Sequence, residues 1–290
     1  MYERHFGLTA KPFSLTPDPA FLYSSRQHAM AMTMLEYGLE SQAAFTLLTG
    51  DIGSGKTTLI RSLLRQLNER VAVGFVTNAH SSFKSIHGWV LSALGIVPPN
   101  AGEIAAYEAL VDAFIKEYAR GRRTLLIFDE AQNLSADVLE ELRLLSNVNA
   151  EQDLVLQIVL VGQPELRTKL SQPGLKQLAQ RISVDFQLRP LNRLETHAYI
   201  AHRLKVAGRN KPLFAPEAIE FIHERTNGVP RLVNLLCDYS LVYAFADDRS
   251  SVELALVAEI VRDQPSTHAL ATVGSGQDPA MLRVESGGAA

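Results

Sequence analysis

The sequence predicts an α/β protein: a parallel sheet covered by helices on both faces, followed by a smaller region made of helices alone. Three observations carry that expectation. Continuous apolar runs rich in β-branched residues, at 71–76, 124–128 and 154–161, alternate with helical patterns, as strands buried on both faces of a parallel sheet do. A glycine-rich string, Gly50-Asp51-Ile52-Gly53-Ser54-Gly55-Lys56-Thr57, joins the apolar run 44–48 to the helical stretch 59–64, which gives strand, tight turn and helix in succession. Beyond Arg189-Pro190-Leu191 the strand pattern stops and three or four helical segments follow.

Residues 1–25 are rich in aromatics and proline (Phe6, Phe13, Phe21 and Tyr23 with Pro12, Pro17 and Pro19) and are too apolar for a disordered tail, so they are expected to pack as an extended strap. In proteins with this layout such a segment often covers the adenine of a bound nucleotide; packing alone explains it equally well. A helix over 26–39 presents Met30, Met34 and Leu35 as its apolar positions. After the strand at 71–76 come helical stretches at 83–94 and 103–118, separated by Pro98-Pro99-Asn100, with Trp89 on the apolar face of the first and read as core.

The strand at 124–128 ends in Asp129-Glu130. Ser135 is a suitable N-cap for a helix running to about residue 145. A fourth strand ends at Gly162-Gln163-Pro164, short helices at 166–170 and 175–180 surround Pro173-Gly174, and Arg181 directly precedes a fifth strand at 182–186. The later helices are expected over 195–207, 215–225, 230–246 and 252–261, with Pro216 and Pro230 near their starts, where proline is tolerated. The resulting division is 1–43 for strap and helix, 44–190 for the sheet domain, 191–264 for a helical lid and 265–290 for a disordered tail.

These residues suit phosphate chemistry. In a G-x-x-x-x-G-K-[ST] string the glycines let backbone N–H groups face one anion, and the helix N-terminus adds partial positive charge. Gly50 to Thr58 would form that cradle, with Lys56 reaching the β- and γ-phosphates and Thr57 offering its hydroxyl to Mg²⁺. Two acids at the end of a buried strand supply two separate functions: Asp129 would hold Mg²⁺, and Glu130 would polarise the attacking water. If strand order reverses at the site, Gln163 lies near the γ-phosphate and is a candidate sensor. Arg231 follows the sharp turn Asn227-Gly228-Val229-Pro230, in the first turn of a helix, where a cation is poorly matched to the helix dipole and a functional reading is invited.

Bulk properties exclude little but bound the rest. Hydrophobic residues at 47%, charged residues at 20% and a formal charge of −3 describe an ordinary globule with no electrostatic reason to cover itself in nucleic acid. The single cysteine, Cys237, lies in an apolar stretch, rules out a disulfide framework and fits a reducing compartment. The start of the chain lacks the apolar centre of a signal peptide, and no apolar run approaches the roughly 20 residues of a membrane helix, so a cytoplasmic location is expected unless a partner recruits the chain to a membrane.

Four stretches carry a family resemblance across nearly the whole chain: Tyr2-x-x-x-Phe6-Gly7-Leu8 with 12–19, Phe128-Asp129-Glu130-Ala131-Gln132-Asn133-Leu134, Gly162-Gln163-Pro164-Glu165-Leu166, and Gly228-Val229-Pro230-Arg231 with 234–238. The sequence resembles AAA+ ATPases, and more narrowly the ExeA or general secretion pathway protein A family. That resemblance implies a five-stranded P-loop domain with a small all-α lid, ATP and Mg²⁺ binding, and assembly into ring-like homo-oligomers. It places Arg181 where such ATPases carry the arginine finger that enters a neighbour's site, and Arg231 where they carry the lid arginine that senses the γ-phosphate. In secretion members the ATPase is joined to a membrane helix and a peptidoglycan-binding domain; neither follows here, so a stand-alone ATPase of envelope assembly is expected, serving secretion, pilus or polysaccharide machinery. Two other classes compete: a DNA-binding regulator of transposition, against which the acidic charge counts, and a nucleotide-gated scaffold with little turnover.

Overall fold

The structure is a computed structural model, which describes residues 1–16, 18–67, 69–77, 86–99, 102–150 and 153–263. The expected disordered tail, Pro17 and the start of the helix expected at 83 lie outside the described residues. The chain divides into two compact units: Arg26–Gly50 with Lys56–Leu188, and Met1–Ser25 with Asp51–Gly55 and the chain from Arg189. The segment expected as one N-terminal piece over 1–43 is thus split, its helix going with the sheet.

The first unit holds α1 (Arg26–Glu40), β1 (Phe45–Gly50), α2 (Lys56–Gln66), β2 (Val71–Val76), α3 (Ile86–Ala93), α4 (Glu103–Ala119), β3 (Arg123–Phe128), α5 (Ala136–Leu145), the two-residue strands β4 (Asn149–Ala150) and β5 (Asp153–Leu154), β6 (Leu156–Gly162), α6 (Glu165–Leu170), α7 (Lys176–Arg181) and β7 (Ile182–Leu188). Five of these strands form one parallel sheet in the order β2-β3-β6-β1-β7, and β4 and β5 pair separately. β1 and β6 are buried at every residue and β3 at all but its first. That is why they read as unbroken apolar runs, whereas the edge strands β2 and β7 mix buried with half-buried and exposed positions.

Successive side chains point to opposite faces of a strand. Leu126, Phe128, Ile158 and Leu160 accordingly face a core completed by α3, α4 and α5, and Trp89 packs against it. Leu125, Ile127, Val159 and Val161 face a second core completed by Ala31 and Leu35 of α1 and Leu59, Ile60 and Leu63 of α2. The buried face of α1 is His28, Ala31, Leu35 and Gly38, so Leu35 is interior as expected, while Met30 is 47% exposed, which corrects its expected place on the apolar face. Gly38 sets this rotation: a Cβ there would sit 2.5 Å from Thr46 Oγ1, so only a glycine lets the helix lie this close to β1. The link from α1 to β1 is closed by buried Gln157, whose Nε2 donates to the carbonyls of Gly38, Leu39 and Ala43 at 3.1, 3.3 and 3.4 Å. Neighbouring register partners, Thr49 with Gly162 and Phe128 with Leu160, align the carboxyl ends of β1, β3 and β6.

The second unit is helical: α8 (Arg193–Val206), α9 (Pro216–Thr226), α10 (Pro230–Ala246) and α11 (Leu254–Asp263). Asn192 and Glu195 form a reciprocal capping box at the start of α8, and Pro216 and Pro230 occupy the first turns of α9 and α10. Leu204, Ile222, Val233, Leu236, Cys237, Leu241, Val257 and Ile260 make its core, and burial pushes the Cys237 thiol well above the usual range, leaving it inert. Tyr2, Phe6, Leu8 and Phe13 are interior to this same core, with Phe21 and Tyr23 packed against it. Buried Arg203 secures the strap: its Nε donates to Pro12 O at 2.6 Å, Nη2 to Ser14 O at 3.3 Å and Nη1 to the Tyr199 hydroxyl at 3.1 Å. Among the described residues no helix is long and apolar enough to cross a membrane.

Two histidines of this unit give it a pH dependence. Burial, reinforced by Arg203 beside His202 and Arg193 beside His223, holds both imidazoles below their ordinary value. A folded-state value below the unfolded one means that the unfolded chain takes up protons first. Their contribution is therefore intact above about pH 6.5 and is lost as pH falls through that value. The denaturant midpoint of the helical transition should drop between pH 7.5 and 5.5, and His223→Asn should shrink the drop; an equal drop in the variant would remove His223 from the account.

Candidate functional site

The site is built where β1 turns into α2. Gly53 and Gly55 have φ of +79° and +101°, a left-handed backbone that side-chain-bearing residues rarely adopt, and the chain then enters α2 at Lys56. Gly53 is doubly restricted within the second unit, because an added Cβ would lie 2.3 Å from Arg231 Cβ, and its carbonyl accepts the Arg231 N–H at 3.2 Å. Lys56 is 5% exposed, and its Nζ donates across the loop to Gly50 O at 2.7 Å. That hydrogen bond holds the ammonium at the end of β1 and against the loop's own backbone.

A chain of hydrogen bonds runs from the start of α2 along the carboxyl ends of β3 and β6. The Thr57 hydroxyl donates to Asp129 Oδ2 at 2.9 Å, and Asp129 Oδ1 accepts the Glu130 N–H at 3.0 Å. Asp129 is 5% exposed and its own N–H is taken by Val76 O at 3.0 Å, so its carboxylate is fixed to the sheet. Glu130 has φ 55° and ψ 38°, left-handed in a residue other than glycine, directly before the 3₁₀ turn Ala131–Asn133. Strain of this kind costs about 1–3 kcal/mol and is retained where the surroundings impose it. Glu130 Oε2 then accepts from Gln132 Nε2 at 2.6 Å and from Gln163 Nε2 at 3.4 Å.

The structure therefore brings together five residues from three elements: Thr57, Asp129, Glu130, Gln132 and Gln163. Thr57 and Asp129 offer a hydroxyl and a carboxylate, a donor set that fits a hard cation such as Mg²⁺. Two further residues expected at a nucleotide, Arg181 and Arg231, are not part of this hydrogen-bonded line. Arg181, at the end of α7, donates from Nη1 to Ser146 Oγ at 2.8 Å. Arg231 is exposed at the start of α10, where its N–H donates to Gly53 O of the glycine-rich loop at 3.2 Å.

Three residues went unread in the sequence. Gln132 bridges Glu130 and the end of β6, since its Oε1 also accepts the Gln163 N–H at 3.0 Å. Arg167 of α6 donates from Nε to the buried Thr49 hydroxyl at 2.7 Å and from Nη1 to Asp185 Oδ2 at 2.8 Å, tying the last turn of β1 to the edge strand β7. Lys169 donates to the backbone carbonyls of Gln132 and Leu134 and holds the 3₁₀ turn against α6. A signal existed only for Gln132, which lies in one of the four diagnostic stretches; the other two depend on which strands become neighbours.

Residues 39–170 match the family model described as an AAA domain. The sheet order, the glycine-rich loop and the paired acids agree with that match, so this part of the chain has the fold of a P-loop AAA domain, and helices follow its sheet. The chain is similar to general secretion pathway protein A from Aeromonas hydrophila, at 40% identity over 247 residues. The alignment takes in 85% of this chain and 45% of that protein, so the chain spans less than half the length of the relative. Among solved structures, Cdc6p from Pyrobaculum aerophilum has a TM-score of 0.67 at 18% identity, covering 83% of this chain and 67% of that one. ORC2 from Aeropyrum pernix, in ADPNP–ADP complexes, has a TM-score of 0.66 at 20% identity, covering 94% and 81%. At those identities the likeness is one of fold.

Proposed function

We propose that the chain binds Mg·ATP at the carboxyl end of its sheet and hydrolyses it, and that the cycle drives or switches the assembly of cell-envelope secretion, pilus or polysaccharide machinery. The observation that carries the chemical half is the unbroken hydrogen-bonded line from Thr57 through Asp129 to Glu130 and Gln163, beginning next to the glycine-rich loop. The loop's N–H groups and Lys56 receive the phosphates. Thr57 and Asp129 would hold the cation, which would supply neutralising charge to the phosphate oxygens. Glu130 accepts the proton of the attacking water, and Gln163 orients it or the terminal phosphate. The envelope half rests on the identity with general secretion pathway protein A. The protein would work on the cytoplasmic side, reaching the inner membrane through its partners.

Arg181 completes the proposal as a residue given to an adjacent subunit in a homo-oligomer, with Arg231 reading the nucleotide from the helical region. An arginine supplied in this way is worth about 10³ to 10⁵ in rate in other nucleotide hydrolases. Specific activity of the wild type should consequently rise with protein concentration. Arg181→Ala should lose that rise while nucleotide affinity stays near normal, and Lys56→Ala should lose nucleotide binding itself. A wild type that takes up no Mg·ATP at any concentration would end the proposal, and a full-rate Arg181→Ala at high concentration would remove the trans arginine from it. ATP-dependent, salt-sensitive binding to duplex DNA would move the chain to the transposition-regulator class.

A further inference from the structure

We infer that Gln132 is a positioning residue for hydrolysis, a rigid amide bridge that sets Glu130 and the Gln163 backbone at a fixed distance from each other; the inference rests on the ATPase reading above. Both ends of its side-chain amide are in use. Nε2 donates to Glu130 Oε2 at 2.6 Å and Oε1 accepts the Gln163 N–H at 3.0 Å. An amide used at both ends has one orientation, because rotating it would set its oxygen against the carboxylate and its NH₂ against an N–H.

The direct contact between the two candidate catalytic side chains, Gln163 Nε2 to Glu130 Oε2, is 3.4 Å long and near the limit of a hydrogen bond. The shorter hydrogen bonds run through Gln132, from the Glu130 carboxylate to the Gln163 backbone N–H. Its place is reserved by the opposite strand: a Cβ on Gly162 would sit 2.8 Å from Gln132 Oε1 and 3.3 Å from Gln132 N. Its backbone is also anchored, since Gln132 O accepts from Lys169 Nζ. The Asp129 N–H is bonded to Val76 O of β2, whereas the Glu130 N–H reaches only the Asp129 carboxylate, so it is the Gln132 side chain that links Glu130 to the end of β6. With the bridge in place, any movement of the end of β6 that repositions Gln163 carries the Glu130 carboxylate with it.

The test is steady-state hydrolysis of ATP together with the dissociation constant for a fluorescent ATP analogue. Gln132→Ala and Gln132→Met are compared, the latter keeping length and apolar bulk without the amide. Both should lower kcat by about 10- to 100-fold, the scale of a misplacement near 1 Å, with nucleotide affinity within about twofold of the wild type. Gly162→Ala, whose added Cβ would press on Gln132 Oε1 at 2.8 Å and on buried Leu166 at 2.9 Å, should lose at least as much. In single-turnover measurements Gln132→Ala added to Glu130→Gln should cause no further loss. Full kcat in Gln132→Met would mean that the side chain only fills space, and an equal loss in the Glu130→Gln background would mean that it acts on something other than Glu130; either overturns the inference while leaving the ATPase reading intact. Undiminished hydrolysis by Glu130→Gln alone would overturn both.

Discussion

Glu130→Gln is expected to keep Mg·ATP binding and to cut hydrolysis by about 10² to 10⁴, the usual worth of a positioned general base. The substitution is close to isosteric, and the new amide oxygen can still accept from Gln132 and Gln163, which donate to this position at 2.6 and 3.4 Å. Asp129, held by Thr57 and by the Glu130 N–H, loses neither partner. Only the capacity to take a proton from water disappears. Rate and affinity must therefore separate: a nucleotide-loaded protein that turns over slowly or not at all. If the variant hydrolyses ATP at the unaltered rate, another group activates water and the assignment of Glu130 is wrong. If it loses nucleotide altogether, the carboxylate is part of the binding site.

Gly228→Ala is expected to destabilise the helical unit by at least about 2–4 kcal/mol, well beyond an ordinary surface substitution. Gly228 has φ of +69°, follows the left-handed Asn227, and its carbonyl accepts the Leu191 N–H at 3.0 Å. An added Cβ would lie 1.9 Å from Leu191 O, and that atom is backbone, which cannot swing aside as the end of a side chain can. The turn also sets the start of α10 and hence Arg231. The measurement has a built-in control, because the only tryptophan, Trp89, packs in the sheet unit. Urea unfolding followed by far-ultraviolet circular dichroism should show an earlier helical transition, while tryptophan fluorescence moves less. An unshifted circular dichroism curve would mean that the turn relaxes at no cost.

The readable parts of this molecule were those whose cause is local. Eight consecutive residues dictate the loop at 50–57, and its glycines at 53 and 55 adopt positive φ. β1, β3 and β6 were legible because a central strand must be apolar on both faces, so burial writes itself into every position. Asp129 and Glu130 were legible as a pair because the strand before them is. What escaped depends on which distant segments meet. The amphipathic pattern of α1 suggested Met30, yet the close approach of Gly38 to Thr46 turns that side chain outward. Nothing near Gln132 in sequence announces that the β6 end will supply its second partner, and nothing near Arg167 announces Thr49 and Asp185. The aromatics of the first 25 residues were read as a packed strap, but their destination inside the helical core followed only from Arg203, some 190 residues away, meeting Pro12 and Ser14.

That last feature bears on how the molecule is made. Tyr2, Phe6 and Phe13 leave the ribosome long before the helices that will enclose them, and the intervening sheet has all its strands by Leu188. At ordinary elongation rates the wait is roughly 12–50 s, during which oily rings stand bare on a nascent chain. Holdase chaperones have a natural target in that interval, and the helical unit closes only after every strand of the sheet has been made.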